Sequence, residues 1–179
     1  MNTTAFKLNI VKDYPKPGIN FIDINPLLAQ PQHFGEVIGQ FCQIIKNALG
    51  QNALAQTAII APEARGFLFA APVANQLNLP LVLIRKEGKI PNKPYAFRIT
   101  NEYTSYNMEI DEDLLNNYRQ FIYIDDILAT GQTLAAVRQA LQRKGKEIVL
   151  SVHLTHVADL KSMRDSNRDL QGLPVQIVL

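Results

Sequence analysis

Two adjacent carboxylates followed by a small polar loop are the sharpest chemical feature of the sequence: FIYIDDILATGQT, residues 121–133. Four apolar residues lead into Asp125 and Asp126, and Ala129, Thr130, Gly131, Gln132 and Thr133 then open a helical pattern. The first amides of a helix lack intrahelical acceptors, and the helix dipole adds positive potential, so such a loop suits a phosphate. Gly131 permits close backbone approach, and the hydroxyls of Thr130 and Thr133 add donors. Carboxylates accept hydrogen bonds from sugar hydroxyls. Neither GxxxxGK[ST] nor GxGxxG occurs, which excludes the nucleoside-triphosphate loop and the dinucleotide fingerprint. Acids followed by a phosphate cradle point to a phosphorylated sugar.

Cations gather elsewhere. Arg65 and Gly66 follow an apolar run in PEARG, and Arg85, Lys86 and Lys89 follow another in IRKEGK. Guanidinium, ammonium and backbone amides together match the charge of a diphosphate. His33, His153 and His156 have no spacing that suits a metal, so no protein-borne metal site is expected. His33 falls near a helix start, and the other two read as packing or interface residues. The single cysteine, Cys42, excludes an intrachain disulfide and reads as a buried structural thiol.

The elements that must hold these groups alternate between two periods. Phe34, Val37, Ile38, Phe41, Ile44, Ile45 and Leu49 predict one helical face over 33–49, ending at Gly50. TAIIA (57–61) and PLVLI (80–84) read as strands buried on both faces, with a helix over GFLFAAPVANQL between them. Pro72 is placed near that helix's first turns or at a kink. Residues 85–110 turn basic and turn-rich, then β-prone, which suits a hairpin or mobile flap. FIYI predicts a strand ending on the acids, TLAAVRQALQRK a helix capped by Gly145, EIVLSVHL (147–154) a strand, and LPVQIVL a last short one. The sum is an α/β fold, a three-layer sandwich around a mostly parallel sheet, expected to form a single domain over 1–179. Residues 121–154 make one βαβ unit, and ligands in such sheets collect at the carboxyl ends of strands, where the acids fall.

Composition narrows the partners. Of the residues, 47% are hydrophobic and 19% charged, and a formal charge of +2 argues against stable nucleic-acid binding. No segment approaches the roughly 18 apolar residues of a membrane span, and the start of the chain lacks a signal-peptide core. The expected location is the cytoplasm.

The 121–133 stretch resembles the phosphoribosyl-pyrophosphate motif of the type I phosphoribosyltransferases. Further blocks are similar to the adenine phosphoribosyltransferase branch: YPKPGINFIDINPLL (14–28), EARGFLFAAPVANQLNLPLVLIRKEGKIP (63–91) and EYTSYNMEI (102–110). The resemblance implies the fold above with a flexible flap. It divides the chain into a base-binding segment (14–30), a basic loop and flap (85–110) and the sugar-phosphate unit (121–154). It also implies transfer of a phosphoribosyl group to a purine, most readily adenine, with Mg²⁺ carried mainly by the substrate and a homodimer as the working form. Arg65, Gly66, Arg85, Lys86 and Lys89 would hold pyrophosphate. Asp125, Asp126 and 129–133 would hold ribose 5-phosphate, and Asn20, Phe21 and Ile22 the base. Glu102 would move the purine proton, with Tyr103 closing on the ribosyl phosphate. Departures stand out: Ile22 occupies a common arginine position, Thr104 and Gln132 glycine positions and His156 an acidic one, and KSMRD (161–165) replaces the family's K-G-R-E. They keep open a hypoxanthine, guanine or xanthine enzyme, beside a non-catalytic sensor of phosphoribosyl pyrophosphate.

Overall fold

The apolar runs are strands in the computed structural model of the protein, which describes residues 6–54, 56–100 and 105–179, with only the backbone at 51–53. A ribbon of β1 (Asn9–Val11) and β2 (Phe21–Asp23) precedes α1 (Asn25–Leu28) and α2 (Pro31–Leu54). Next come β3 (Thr57–Pro62), α3 (Arg65–Leu77) and β4 (Leu81–Lys86), then the hairpin β5 (Pro94–Thr100) and β6 (Ser105–Asp111) and the short α4 (Glu112–Asn116). β7 (Gln120–Leu128), α5 (Gln132–Arg143), β8 (Glu147–His156), α6 (Lys161–Ser166) and β9 (Val175–Ile177) complete the chain. Among the described residues, seven strands form one sheet in the order β5-β6-β4-β3-β7-β8-β9. It is parallel from β4 to β9 and antiparallel where β6 joins β4 and β5.

Helices cover both faces of this sheet, giving three layers. Ile59, Ala61, Ile122, Ile124 and Val152 pack under α2 and α3, whose Phe41 and Phe69 rings stack at 5.7 Å. Ile60, Phe121, Tyr123 and Ile148 face the other way, against Leu134, Val137 and Leu141 of α5. Cys42 is buried in the first layer, where its thiol donates to Gln76 Oε1 at 3.3 Å. The helix expected to stop at Gly50 is interrupted there, at φ 67°, before a last short turn. α5 closes as foreseen: Gly145 at φ 68° lets its own N–H reach Gln142 O (2.9 Å) and Lys146 N–H reach Leu141 O (3.0 Å).

Three local expectations change. β4 is not buried on both faces: alternate residues are half-exposed, since only one side of it is sealed by apolar packing, whereas β3 is buried throughout. Pro72 lies inside α3, beyond its first turns, where it lacks the amide that would bond four residues back. The third change matters most for the site. β7 does not end at Ile124 but runs on through both acids to Leu128, because β8 keeps pairing: Asp125 with His153, Ile127 with Thr155, Leu128 with His156.

Candidate active site

On its other edge, β7 pairs with β3 only as far as Tyr123. The two acids therefore lie in a strand supported on one side and open on the other. Into that opening comes the N-terminus of α3. Gly66 is what permits the approach: a Cβ there would lie 2.9 Å from Pro62 Cδ and 3.1 Å from both Asp125 Oδ1 and Ile124 O. Asp125 turns inward, accepting from Tyr123 OH (3.0 Å) and from the Asp126 amide (2.9 Å). Burial, and then the neighbouring Asp126 charge, push its carboxyl up to about 8. Asp126 is only 4% exposed, and its Oδ2 sits 2.7 Å from Arg65 Nε. The contact is an ion pair without an aligned N–H, since that oxygen has no hydrogen-bond donor in line. The Arg65 guanidinium also lies 5.6 Å from the centroid of the Phe21 ring. Arg65 thus links the N-terminal ribbon to the acidic strand.

The loop after β7, where the sequence placed a phosphate cradle, turns tightly into α5. Gly131 caps α5 at φ 80°, and a Cβ on it would stand 2.5 Å from Leu170 Cδ1. Gln132 begins the helix without a positive φ. Residues 129–133 border a small cavity of about 70 Å³, closed from behind by Tyr123, Asp125, Leu134 and His153. Arg164 fixes this loop from outside: its Nη1 donates to Ala129 O and Val157 O, each at 2.7 Å, and reaches Leu128 O at 3.4 Å. In the sequence Arg164 was one residue of a divergent KSMRD segment, and only the surplus carbonyls of a tight loop could have pointed to it.

A second cavity of about 890 Å³ adjoins the first, with Asp125, Ile127 and Thr133 as common walls. Glu63, Arg65, Lys86, Glu87 and Asp126 line one side, and Arg98 with Ser105–Met108 of the hairpin line the other. Strand alternation separates the basic pair. Lys86 faces the cavity, whereas Arg85 turns to Glu63, its Nε donating to Oε2 at 2.9 Å. The Lys86 amide donates to the same oxygen (3.1 Å), and the two bonds, Arg85 foremost, hold Glu63 below the usual carboxylate range. Lys89 is not on the cavity wall; the turn before it is tied down by Gly88 N–H donating to the buried Glu109 at 3.0 Å. Asn20, Phe21 and Ile22 are not on the wall either, although Phe21 adjoins it through Arg65. Glu102 and Tyr103 lie outside the described residues. Sequence reasoning missed Glu63, Glu87 and Arg98 because a lone charge in a turn or on an alternating strand carries no spacing signal.

A family model described as a phosphoribosyl transferase domain matches residues 24–171. The chain belongs to that family. This phosphoribosyltransferase is 41% identical over 156 residues to the adenine phosphoribosyltransferase of Ureaplasma parvum serovar 3, a match covering 87% of this chain and 86% of that one. Among solved structures it is similar to adenine phosphoribosyltransferase from Thermoanaerobacter pseudethanolicus, with a TM-score of 0.79, 31% identity and 96% and 94% of the two chains covered. The enzyme from Saccharomyces cerevisiae, solved with an imino-altritol bisphosphate and adenine, matches with a TM-score of 0.82 at 27% identity over 96% and 94%. The type I fold is therefore common to all three. Within this phosphoribosyltransferase, no group of three or more His, Cys, Asp and Glu side chains is placed to hold a metal among the described residues. No helix among them is long and apolar enough to cross a membrane.

Proposed function

We propose that the chain transfers the 5-phosphoribosyl group of phosphoribosyl pyrophosphate to adenine, giving AMP and pyrophosphate. The observation that carries this reading is the pair of adjoining cavities. The 129–133 loop borders a cavity of about 70 Å³, Asp125 lines both it and the larger space, and Asp126, Arg65 and Lys86 border the larger space. A 5-phosphate in the cradle would set ribose hydroxyls against Asp125 and Asp126, and the diphosphate toward Arg65, Gly66 and Lys86. Lys86 is well placed for that task, since it makes no ion pair among the described residues. Arg85 and Lys89 serve the diphosphate only through the shape of the turn in this reading.

In the reaction the bond from C1 of the ribose to the diphosphate oxygen breaks and a bond from C1 to a purine nitrogen forms, while the purine loses a proton. Glu102 takes or relays that proton, and Tyr103 covers the ribosyl phosphate, which excludes water from an activated sugar. Phe21 supports the base, with Asn20 and Ile22 reading its edge through backbone groups. The base assignment draws on the relatives, which are named for adenine. In this reading Mg²⁺ would be held mainly by the oxygens of the substrate, with Asp125 and Asp126 the nearest protein carboxylates to support it. When bound, the ion neutralises part of the departing diphosphate charge. We place the active form as a homodimer, which light scattering would check.

Pyrophosphate release, followed with phosphoribosyl pyrophosphate and each of adenine, hypoxanthine, guanine and xanthine, tests the proposal. Turnover with adenine well above the 6-oxopurines supports it. Turnover with a 6-oxopurine alone overturns the base, and tight sugar-phosphate binding without turnover on any base makes the protein a sensor.

A further inference from the structure

We infer that His153 is an additional ligand of the 5-phosphate, donating a hydrogen bond from Nδ1 into the 129–133 cradle. The inference deepens the proposed function and rests on it. His153 pairs with Asp125 across β7 and β8, and Ser151 pairs with Tyr123 two residues earlier, so these four polar side chains share one patch of sheet beneath the loop. His153 is 1% exposed and forms part of the wall of the 70 Å³ cavity. Its Nε2 lies 2.7 Å from Ser151 Oγ. Its Nδ1 is buried and has no hydrogen-bond partner among the described residues.

A histidine that only filled the core would have both nitrogens satisfied, as buried polar atoms generally do. Here one nitrogen is engaged and the other has no partner among the described residues, in a side chain that lines the cavity bordered by the cradle. The Ser151 hydroxyl can either donate to Nε2 or accept from it, and the inference assigns the tautomer in which it donates, leaving the ring proton on Nδ1 as a donor suited to a phosphate oxygen. Burial, helped by the positive charge of Arg164, holds the ring down to about 3, so it acts as a neutral donor. The other polar groups against it are the Tyr123 ring at 5.7 Å and Asp125 across the pair, and those two are bonded to each other. The phosphate thus gains a donor from the sheet in addition to those from the loop.

Calorimetric titration of AMP and of adenosine into wild type, His153→Leu and His153→Asn tests this. Leucine should weaken AMP about tenfold, the scale of one hydrogen bond to a charged group, and leave adenosine within about twofold. Asparagine, whose amide N–H can stand near the Nδ1 position, should restore most of the AMP affinity. Unchanged AMP affinity, or equal losses for AMP and adenosine, overturns the inference. Nitrogen-15 spectra of the wild-type AMP complex give an independent reading: Nδ1 protonated supports it, and Nδ1 bare overturns it. Wild type that binds neither AMP nor phosphoribosyl pyrophosphate overturns the proposed function itself, whereas normal wild-type binding with an indifferent leucine variant overturns this inference alone.

Discussion

Gly131→Ala probes the cradle most sharply, because two separate costs meet at one residue. The first is conformational. At φ 80° a Cβ crowds its own carbonyl, which costs about 1–2 kcal/mol. The second is steric. The new methyl would stand 2.5 Å from Leu170 Cδ1, against an ordinary contact of about 3.5–4 Å, so one side must yield. Leu170 is 9% exposed, and Gly131 caps a helix that is anchored on the sheet, so forced overlap of this kind falls in the range of about 1–3 kcal/mol. The single substitution should therefore destabilise by about 2–5 kcal/mol in all. Leu170→Ala removes the clashing methyl and carries its own cavity cost. In the double variant only the conformational cost of Gly131→Ala survives. Guanidinium unfolding of the four proteins, with slopes compared as well as midpoints, gives the coupling. We expect about 1–3 kcal/mol of relief in the double variant. Additivity within about 0.5 kcal/mol would refute the claim that Leu170 is what blocks a side chain at position 131.

Two further outcomes follow from the site. Glu102→Gln should lower kcat by about a hundredfold or more while the Kd for phosphoribosyl pyrophosphate stays within about twofold, and an unchanged kcat removes its proton-transfer role. From these two groups, stability of the ligand-free protein should be level between about 3.8 and 6.5, where their slopes oppose, and fall toward pH 8. His153, held at about 3 when folded against an ordinary 6.5, contributes stability that is full above about 6.5 and lost as pH falls toward 3. Asp125, raised to about 8 from 3.8, contributes stability that is present below 3.8 and lost as pH rises through 8. From pH 6.5 to 8 only the Asp125 slope remains of these two, so Asp125→Asn should flatten the decline there in guanidinium titrations. An undiminished decline would show that the carboxyl is not held protonated by its burial.

Much of this was legible in the sequence because each feature had a period or a composition of its own. TAIIA reads as a central strand since no polar residue interrupts it, and the structure buries it whole. Gly131 and Gly145 mark the two ends of α5 because both positions need a left-handed backbone. What could not be read were relations between distant segments. IDD looked like a strand end, since nothing local says that β8 goes on pairing to Leu128. Arg85 and Lys86 looked like one basic cluster, but strand alternation and Glu63 send them to different sides. His153 read as packing, and only the register with Asp125 sets it behind the cradle. The same holds for Arg65, whose place between Phe21 and Asp126 joins residues far apart in the sequence.

A crystal structure of the protein with AMP tests the central claim most directly. The account predicts the phosphate inside the 129–133 loop, ribose hydroxyls within hydrogen-bonding distance of Asp125 or Asp126, and the base against Phe21. A phosphate seated outside that loop, with the acids still turned to Tyr123 and Arg65 alone, would contradict it.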